Sequence, residues 1–236
     1  MREIRRALQA LDDAFAPVRP PPAIDVCPCC RRVEDFAVLL MRPRSQLTGR
    51  DLGPYAFSVL DTVGSAADLR YLTGRMLQLL HTHDPDMPAV ETCYGKLRRA
   101  GWRSWEQAGA IAAVFDALWT DLLTDEPPHE NVGTLVCALG SAEDTLAARL
   151  ARWARLDSAA AILRLHEFLT RDCRRKHGVL IPNNAFWDRT LPTYREVVAW
   201  LGEGPALAAV TAAFDRVDDP ALLEVLGGIH GVLDDG

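Results

Sequence analysis

The chain lacks the short motifs that identify most nucleotide-binding and hydrolytic enzymes. Its 236 residues contain no G-x-x-x-x-G-K-[ST], no G-x-G-x-x-G, no H-E-x-x-H and no G-x-S-x-G. Its acidic residues are scattered, without a spacing that is typical of catalytic carboxylates. These absences favour a protein that is not an enzyme.

Long apolar runs are missing as well. No stretch approaches the roughly 18 consecutive apolar residues that a membrane span needs. The N-terminus begins with charged residues and has no apolar core of a signal peptide. We therefore expect a cytoplasmic protein that has no membrane partner.

Lysine is scarce, and the charge balance is acidic. Only Lys96 and Lys176 are lysines among the 26 basic residues, and the formal net charge is −6. Arg149, Arg152 and Arg155 share one predicted helix face that could meet phosphates, but a solvated face is the favoured interpretation in an acidic chain. Nucleic acid is therefore not an expected partner.

Strand patterns are nearly absent, whereas helix signals recur along the chain. The one β-like run is Val179-Leu180-Ile181. Candidate N-caps precede many of the helical patterns; they are Thr48, Ser65, Ser104, Ser141 and Thr193. Apolar periodicity predicts ten helices and two more towards the end; they lie near 2–15, 33–41, 49–62, 66–81, 88–99, 105–123, 130–139, 142–155, 158–176, 194–201, 205–217 and 220–233.

These helices predict an all-α protein. We expect an irregular, solenoid-like array of about ten to twelve antiparallel helices, crossed by an N-terminal strap rich in proline and cysteine. Short loops favour antiparallel neighbours, and no fixed repeat period is present. Residues 1–236 are predicted to form a single helical domain, with a weak internal boundary near 124–129.

Three of the six cysteines lie within residues 27–30, whose sequence is Cys-Pro-Cys-Cys. Thiols this close together indicate metal ligation, redox chemistry or a tightly buried structural knot. In a reducing cytosol, the first two interpretations are favoured over a disulfide framework.

Zinc is the candidate cofactor. Cys27 and Cys30 have the C-x-x-C spacing with which two thiolates hold one metal ion. Cys173 and His177 are four residues apart on a predicted helix, so both would project from one face and complete a tetrahedral ligand set. Cys29 is an alternative ligand. The sequence does not establish whether the two pairs meet.

Other interpretations stay open. Arg31 and Arg32 would lower a thiol pKa and favour a reactive thiolate or a reversible disulfide, although no βαβ pattern surrounds the motif. Alternatively, the cysteines form a compact structural plug under the proline segment. The histidines and aspartates at 81–86 are a further metal candidate, but an ordinary helix end followed by an Asp-Pro turn is favoured there.

Several strings together resemble one group of bacterial proteins. They are residues 15–20, the CPCC tetrapeptide, Tyr55-Ala56-Phe57, residues 95–102 and Asn184-Ala185-Phe186-Trp187. The group is of similar length, has an N-terminal G-C-P-C-C motif and a late N-A-F-W motif, and has no assigned activity. Val26 stands where the group usually has glycine. The resemblance implies a bacterial, cytosolic helical protein and transfers no catalytic residue.

The expected function is binding rather than catalysis. Stacked helices form an extended groove for a protein or peptide partner, so we predict a protein-binding or scaffold module. Asn184, Phe186 and Trp187 are candidate contact residues in an irregular segment, although a loop that covers the core is the favoured interpretation there. The competing function is a zinc-binding or thiol-redox protein that uses residues 27–30.

Overall fold

Proline, glycine and polar caps divide the chain into many short helices. The computed structural model describes residues 2–124 and 130–234. It is 64% helical, and its described residues form twelve α-helices and one two-stranded sheet. The predicted all-α class is therefore confirmed, whereas the solenoid-like arrangement stays a prediction. None of the described helices is both long and apolar enough to cross a membrane.

The chain is divided into two compact units, Met1–Ala117 and Leu118–Gly236. The first unit contains α1 Arg2–Phe15, α2 Val38–Met41, α3 Gly49–Ser58, α4 Ala66–His81 and α5 Val90–Arg99. The division falls within α6 Ala108–Thr124. The second unit continues with α7 Val132–Ala142, α8 Ala147–Trp153, α9 Ala159–Arg171, strands β1 Cys173–Lys176 and β2 Val179–Pro182, α10 Pro192–Gly202, α11 Pro205–Ala213 and α12 Pro220–Asp234.

The single domain over 1–236 stays a prediction. The division between the units follows Ala117, whereas the sequence placed a weak boundary near 124–129. Residues 125–129 of that segment lie outside the described residues.

Two of the five predicted N-caps are confirmed. The hydroxyls of Thr48 and Ser65 accept backbone hydrogen bonds at the starts of α3 and α4. The predictions for Ser104, Ser141 and Thr193 are wrong, because each of these hydroxyls donates to a backbone carbonyl instead. The Thr193 hydroxyl, for example, donates to Gly140 O at 2.7 Å and so joins α10 to α7.

Aromatic side chains lie at the centre of each unit. In the first unit, the rings of Tyr94 and Trp102 pack on Phe115, with centroid separations of 4.6 and 5.5 Å. In the second unit, the Trp153 and Trp200 rings stack with their centroids 5.3 Å apart. Each ring of this kind buries about 150–250 Å², so these clusters make a large hydrophobic contribution to stability.

The helix predicted over 158–176 is wrong in its last part, which contains Cys173. α9 ends at Arg171, and the chain then forms an antiparallel hairpin in which Cys173 pairs with Pro182. The hairpin turns at His177 and Gly178, whose φ angles are 52° and 81°. Two successive positive φ values suit a two-residue hairpin turn and interrupt a right-handed helix. Cys173 and His177 therefore do not share a helix face.

The predicted solvated arginine face is also wrong in part. Arg149 is buried, and its guanidinium binds the Glu143 carboxylate with N–O distances of 2.6 and 2.8 Å. Arg152 donates to Thr120 Oγ1 at 2.8 Å. Arg149 is therefore a structural ion-pair residue rather than part of a surface for phosphates.

We predict that Gly140→Ala destabilises the second unit. A Cβ at this position would lie 2.5 Å from the Trp187 ring, so the ring or α7 must move, at a cost of about 1–3 kcal/mol. The measurement is the free energy of unfolding in urea.

The matched control is Gly227→Ala in α12, where an added Cβ meets no atom within 4 Å. Alanine should leave stability unchanged or raise it by up to about 1 kcal/mol, because glycine is a poor helix former. Equal effects of the two substitutions on stability would show that the close contact with the Trp187 ring does not make alanine at position 140 destabilising.

Candidate metal centre

Three thiols lie close together at the end of the N-terminal strap, the proline- and cysteine-rich segment of residues 17–30. The Sγ atoms of Cys27, Cys29 and Cys30 all lie within 4.8 Å of one another. The Cys27–Cys29 separation is 2.9 Å and the Cys29–Cys30 separation is 3.5 Å. Cys29 and Cys30 are exposed and Cys27 is half-buried. Such a group has a geometry that can hold a metal ion.

A tight turn brings the three thiols together. Cys27 O accepts hydrogen bonds from the backbone N–H groups of Cys30 and Arg31, at 3.0 and 3.1 Å. Pro28 occupies the second position of this turn, where its fixed φ is favourable. The turn places residues that are two and three positions apart on one side of the chain.

Hydrogen bonds give the thiols unequal acidities. Hydrogen bonds that Cys27 Sγ makes with the Cys29 thiol, with the Cys29 backbone N–H group and with the side chain and backbone N–H group of Cys30 lower the pKa of Cys27. The hydrogen bond between the thiols of Cys29 and Cys27 raises the pKa of Cys29 to about 11, with a smaller contribution from the contact with the Cys30 thiol. Hydrogen bonds to a sulfur stabilise its thiolate, so Cys27 is a stronger acid than Cys29.

A short antiparallel contact anchors the turn to the rest of the first unit. Val26 forms a β-bridge with Val63, Cys27 N donates to Thr62 O at 2.8 Å, and Gly64 N donates to Asp25 O at 2.7 Å. The position of Cys27 therefore depends on the loop at 59–64.

Helix α5 holds that loop in place. Lys96 is only 6% exposed; its Nζ donates to Val59 O at 2.8 Å and also binds the Asp61 carboxylate. Arg99 donates to Leu60 O at 2.9 Å and pairs with Asp61 at 2.8 Å. The bond from Lys96 and the charge of Arg99 lower the pKa of Asp61. We call Lys96, Arg99 and Asp61 the loop clamp.

The end of this loop requires glycine. Gly64 has a φ of 61°, and a Cβ there would lie 2.7 Å from the Asp68 carboxylate and 3.1 Å from the Tyr55 ring. Asp68 accepts a hydrogen bond from Ser65 N at 2.5 Å, at the start of α4. Burial raises the pKa of Asp68, so the carboxylate depends on that bond for compensation.

The other two predicted metal ligands lie in the second unit. Cys173 is half-buried at the start of β1, and burial raises the pKa of its thiol. His177 is exposed in the hairpin turn. Among residues 2–124 and 130–234, the group of close ligand atoms comprises Cys27, Cys29 and Cys30 alone. The predicted metal role of the second pair stays a prediction.

The segment 81–86 has a structural role. α4 ends at His81, as the favoured interpretation of this segment expected. The Asp84 carboxylate accepts a hydrogen bond from Gly49 N at 3.2 Å and another from Asp86 N at 3.1 Å. Asp84 therefore supports the start of α3 and its own turn.

The candidate contact residues at 184–187 differ in exposure. Trp187 is buried, and its ring lies 5.6 Å from that of Tyr194. Asn184 Oδ1 accepts a hydrogen bond from Phe186 N at 2.8 Å and so shapes the turn. Phe186 is 50% exposed. The arrangement supports the core-covering interpretation for Trp187, whereas a partner contact remains a prediction that rests on Phe186.

Two features of this site were missed by sequence reasoning. Cys29 was considered only an alternative ligand, although its sulfur lies between those of Cys27 and Cys30 in the hydrogen-bonded series. The loop clamp was not foreseen. No local signal could have identified it, because the partners of Lys96 are 35 and 37 residues away in the chain.

Comparisons of the chain with models of protein families, with curated proteins and with solved structures find no match. The resemblance to the CPCC group therefore stays a prediction.

We predict that Lys96→Met weakens both the first unit and the anchoring of Cys27. Methionine keeps the buried stem but leaves the Val59 carbonyl without its donor, at a cost of about 1–3 kcal/mol. Urea unfolding measures the stability, and hydrogen exchange measures protection of the Cys27 amide, which donates to Thr62 O.

Lys176→Met is the matched control, because Lys176 is exposed and surface substitutions usually change stability by less than about 0.5 kcal/mol. Unchanged protection of the Cys27 amide in Lys96→Met would contradict the role of the clamp in positioning the thiols.

Proposed function

We propose that Cys27, Cys29 and Cys30 bind one thiophilic metal ion, with zinc as the expected ion. The observation that supports this function is the convergence of three Sγ atoms within 4.8 Å. With a Zn–S distance of about 2.3 Å, tetrahedral ligands have sulfurs about 3.8 Å apart. The sulfurs of Cys27 and Cys29, at 2.9 Å, would have to separate by about 1 Å to reach this spacing, whereas those of Cys29 and Cys30, at 3.5 Å, are already close to it.

The local hydrogen bonds support the same proposal. The Cys29 thiol, followed by the backbone N–H groups of Cys29 and Cys30, lowers the pKa of Cys27. The backbone groups would also stabilise a metal-bound thiolate, since the ligand sulfur keeps negative charge. Three protein ligands leave one tetrahedral position for water or another small ligand. The proposed site is therefore open rather than fully enclosed by protein.

The second candidate function is thiol–disulfide chemistry, favoured by the 2.9 Å approach of Cys27 and Cys29. Forming a bond between the two sulfurs would release two protons and pass two electrons to an external disulfide. The lowered pKa of Cys27 makes it the attacking thiolate. Metal binding and disulfide formation exclude each other, because both use the same sulfurs.

A protein-binding or scaffold role stays a prediction. The exposed side chains of Met41 and Phe57 in the first unit and Phe186 in the second are apolar groups that a partner could cover. Isolated exposed apolar residues are normal on protein surfaces, so they support this function less directly than the three thiols support metal binding.

We predict that the reduced, tag-free protein binds about one zinc ion per chain. Elemental analysis after gel filtration gives the stoichiometry, and a thiol titration before and after chelation counts the protected cysteines. Cys27→Ser and Cys30→Ser should each lower zinc affinity by at least about tenfold, with helicity checked by circular dichroism.

Cys173→Ser and His177→Ala serve as controls and also test the four-ligand set predicted from sequence. Retained zinc in both variants supports the three-cysteine site. Loss of zinc in either variant would support the ligand set predicted from sequence, which also includes Cys173 and His177. No bound zinc and three freely titrating thiols would contradict the proposal, and a protein that loses two thiols under mild oxidation would favour the disulfide function.

Zinc affinity should rise with pH. Because the pKa of Cys29 is about 11, this thiol is protonated at neutral pH and must release its proton when the metal binds. Each released proton raises the apparent association constant about tenfold per pH unit below the thiol pKa. Competition with a chromophoric chelator at several pH values between 6.5 and 8.5 measures this slope, and a pH-independent affinity would exclude thiol deprotonation.

A further inference from the structure

A cavity of about 360 Å³ lies in the first unit and shares no lining residue with the cysteine cluster. Three segments form its wall: the strap at 17–19, Ala67 and Arg70 in α4, and Glu106 and Gln107 before α6. Small-molecule sites have volumes of about 300–1,000 Å³. The cavity is therefore large enough for a small ligand.

One cation of this cavity is held in a fixed orientation. Arg70 Nε donates to Gln107 Oε1 at 2.9 Å, and Gln107 is buried. A terminal nitrogen of Arg70 also contacts Glu106 at 3.0 Å, but the Glu106 side chain is 88% exposed. An exposed ion pair of this kind contributes little to stability, so an incoming anion can replace Glu106 at low cost.

The wall carries more donors than acceptors. Arg19 lines the cavity and, within the described part of the chain, has no hydrogen bond or ion pair. The Gln107 carbonyl already accepts from Arg70, which leaves its NH₂ group as a donor. Two arginines, Arg19 and Arg70, thus line the cavity with one acidic residue, Glu106, and the excess of positive charge favours a negatively charged ligand.

We propose that this cavity binds a small organic anion, a carboxylate or a phosphate monoester, between Arg19 and Arg70. Guanidinium groups bind both kinds of anion through paired hydrogen bonds. Pro17, Val18 and Ala67 supply the apolar wall that contacts the rest of the ligand. This proposal is independent of the metal site.

Isothermal titration with benzoate, phenyl phosphate and inorganic phosphate, at constant ionic strength, tests the proposal. Benzoate or phenyl phosphate should bind saturably, and Arg19→Gln should weaken binding about tenfold. Glu106→Gln should strengthen binding several-fold, because the competing carboxylate is removed from Arg70. Arg50→Gln is the matched control, since Arg50 is exposed and does not line the cavity.

The stronger of the two organic probes identifies the charged group that the site prefers. Absence of saturation below about 10 mM for every probe would overturn the proposal. Equal affinities of Arg19→Gln and Arg50→Gln, or weaker binding by Glu106→Gln, would also overturn it. Inorganic phosphate that binds as tightly as phenyl phosphate would rule out an organic ligand.

Discussion

The burial of one lysine constrains the whole region around the cysteines. An ammonium group that is removed from water needs strong partners, and Lys96 finds them in Val59 O and Asp61. These two bonds from Lys96 hold the loop at 59–64 in place. The loop in turn supplies the backbone partners of Asp25 and Cys27, so a charge in α5 determines where the strap ends and where its thiols lie.

The cysteine cluster has a different character, because all of its thiols come from four consecutive residues. A site of this kind needs little loop closure, since the thiols are already close in the chain. Its geometry is set by a proline turn and by amide groups directed at one sulfur. Binding at such a site can be nearly independent of global stability, whereas the position of the site on the protein depends on the loop clamp.

Sequence reasoning succeeded where local rules dominate. The bounds 66–81 of α4 follow from an N-cap serine and from the Asp-Pro turn that comes after His81. It failed where distant contacts compete: Thr193 was a predicted N-cap, but its hydroxyl donates to Gly140 O, which is 53 residues away. The Cys-x-x-Cys spacing identified the thiol site, whereas the partners of Lys96 are 35 and 37 residues away and leave no local pattern.

Because the chain has only two lysines, reagents that modify lysine side chains can report on the opening of the first unit. Lys96 is buried and Lys176 is exposed on a strand, so an amine-selective reagent has one accessible side chain on the folded chain. Modification of Lys96 would require the clamp to open. The rate at which Lys96 is labelled, divided by the rate at which the exposed Lys176 is labelled, would therefore report how often the first unit opens.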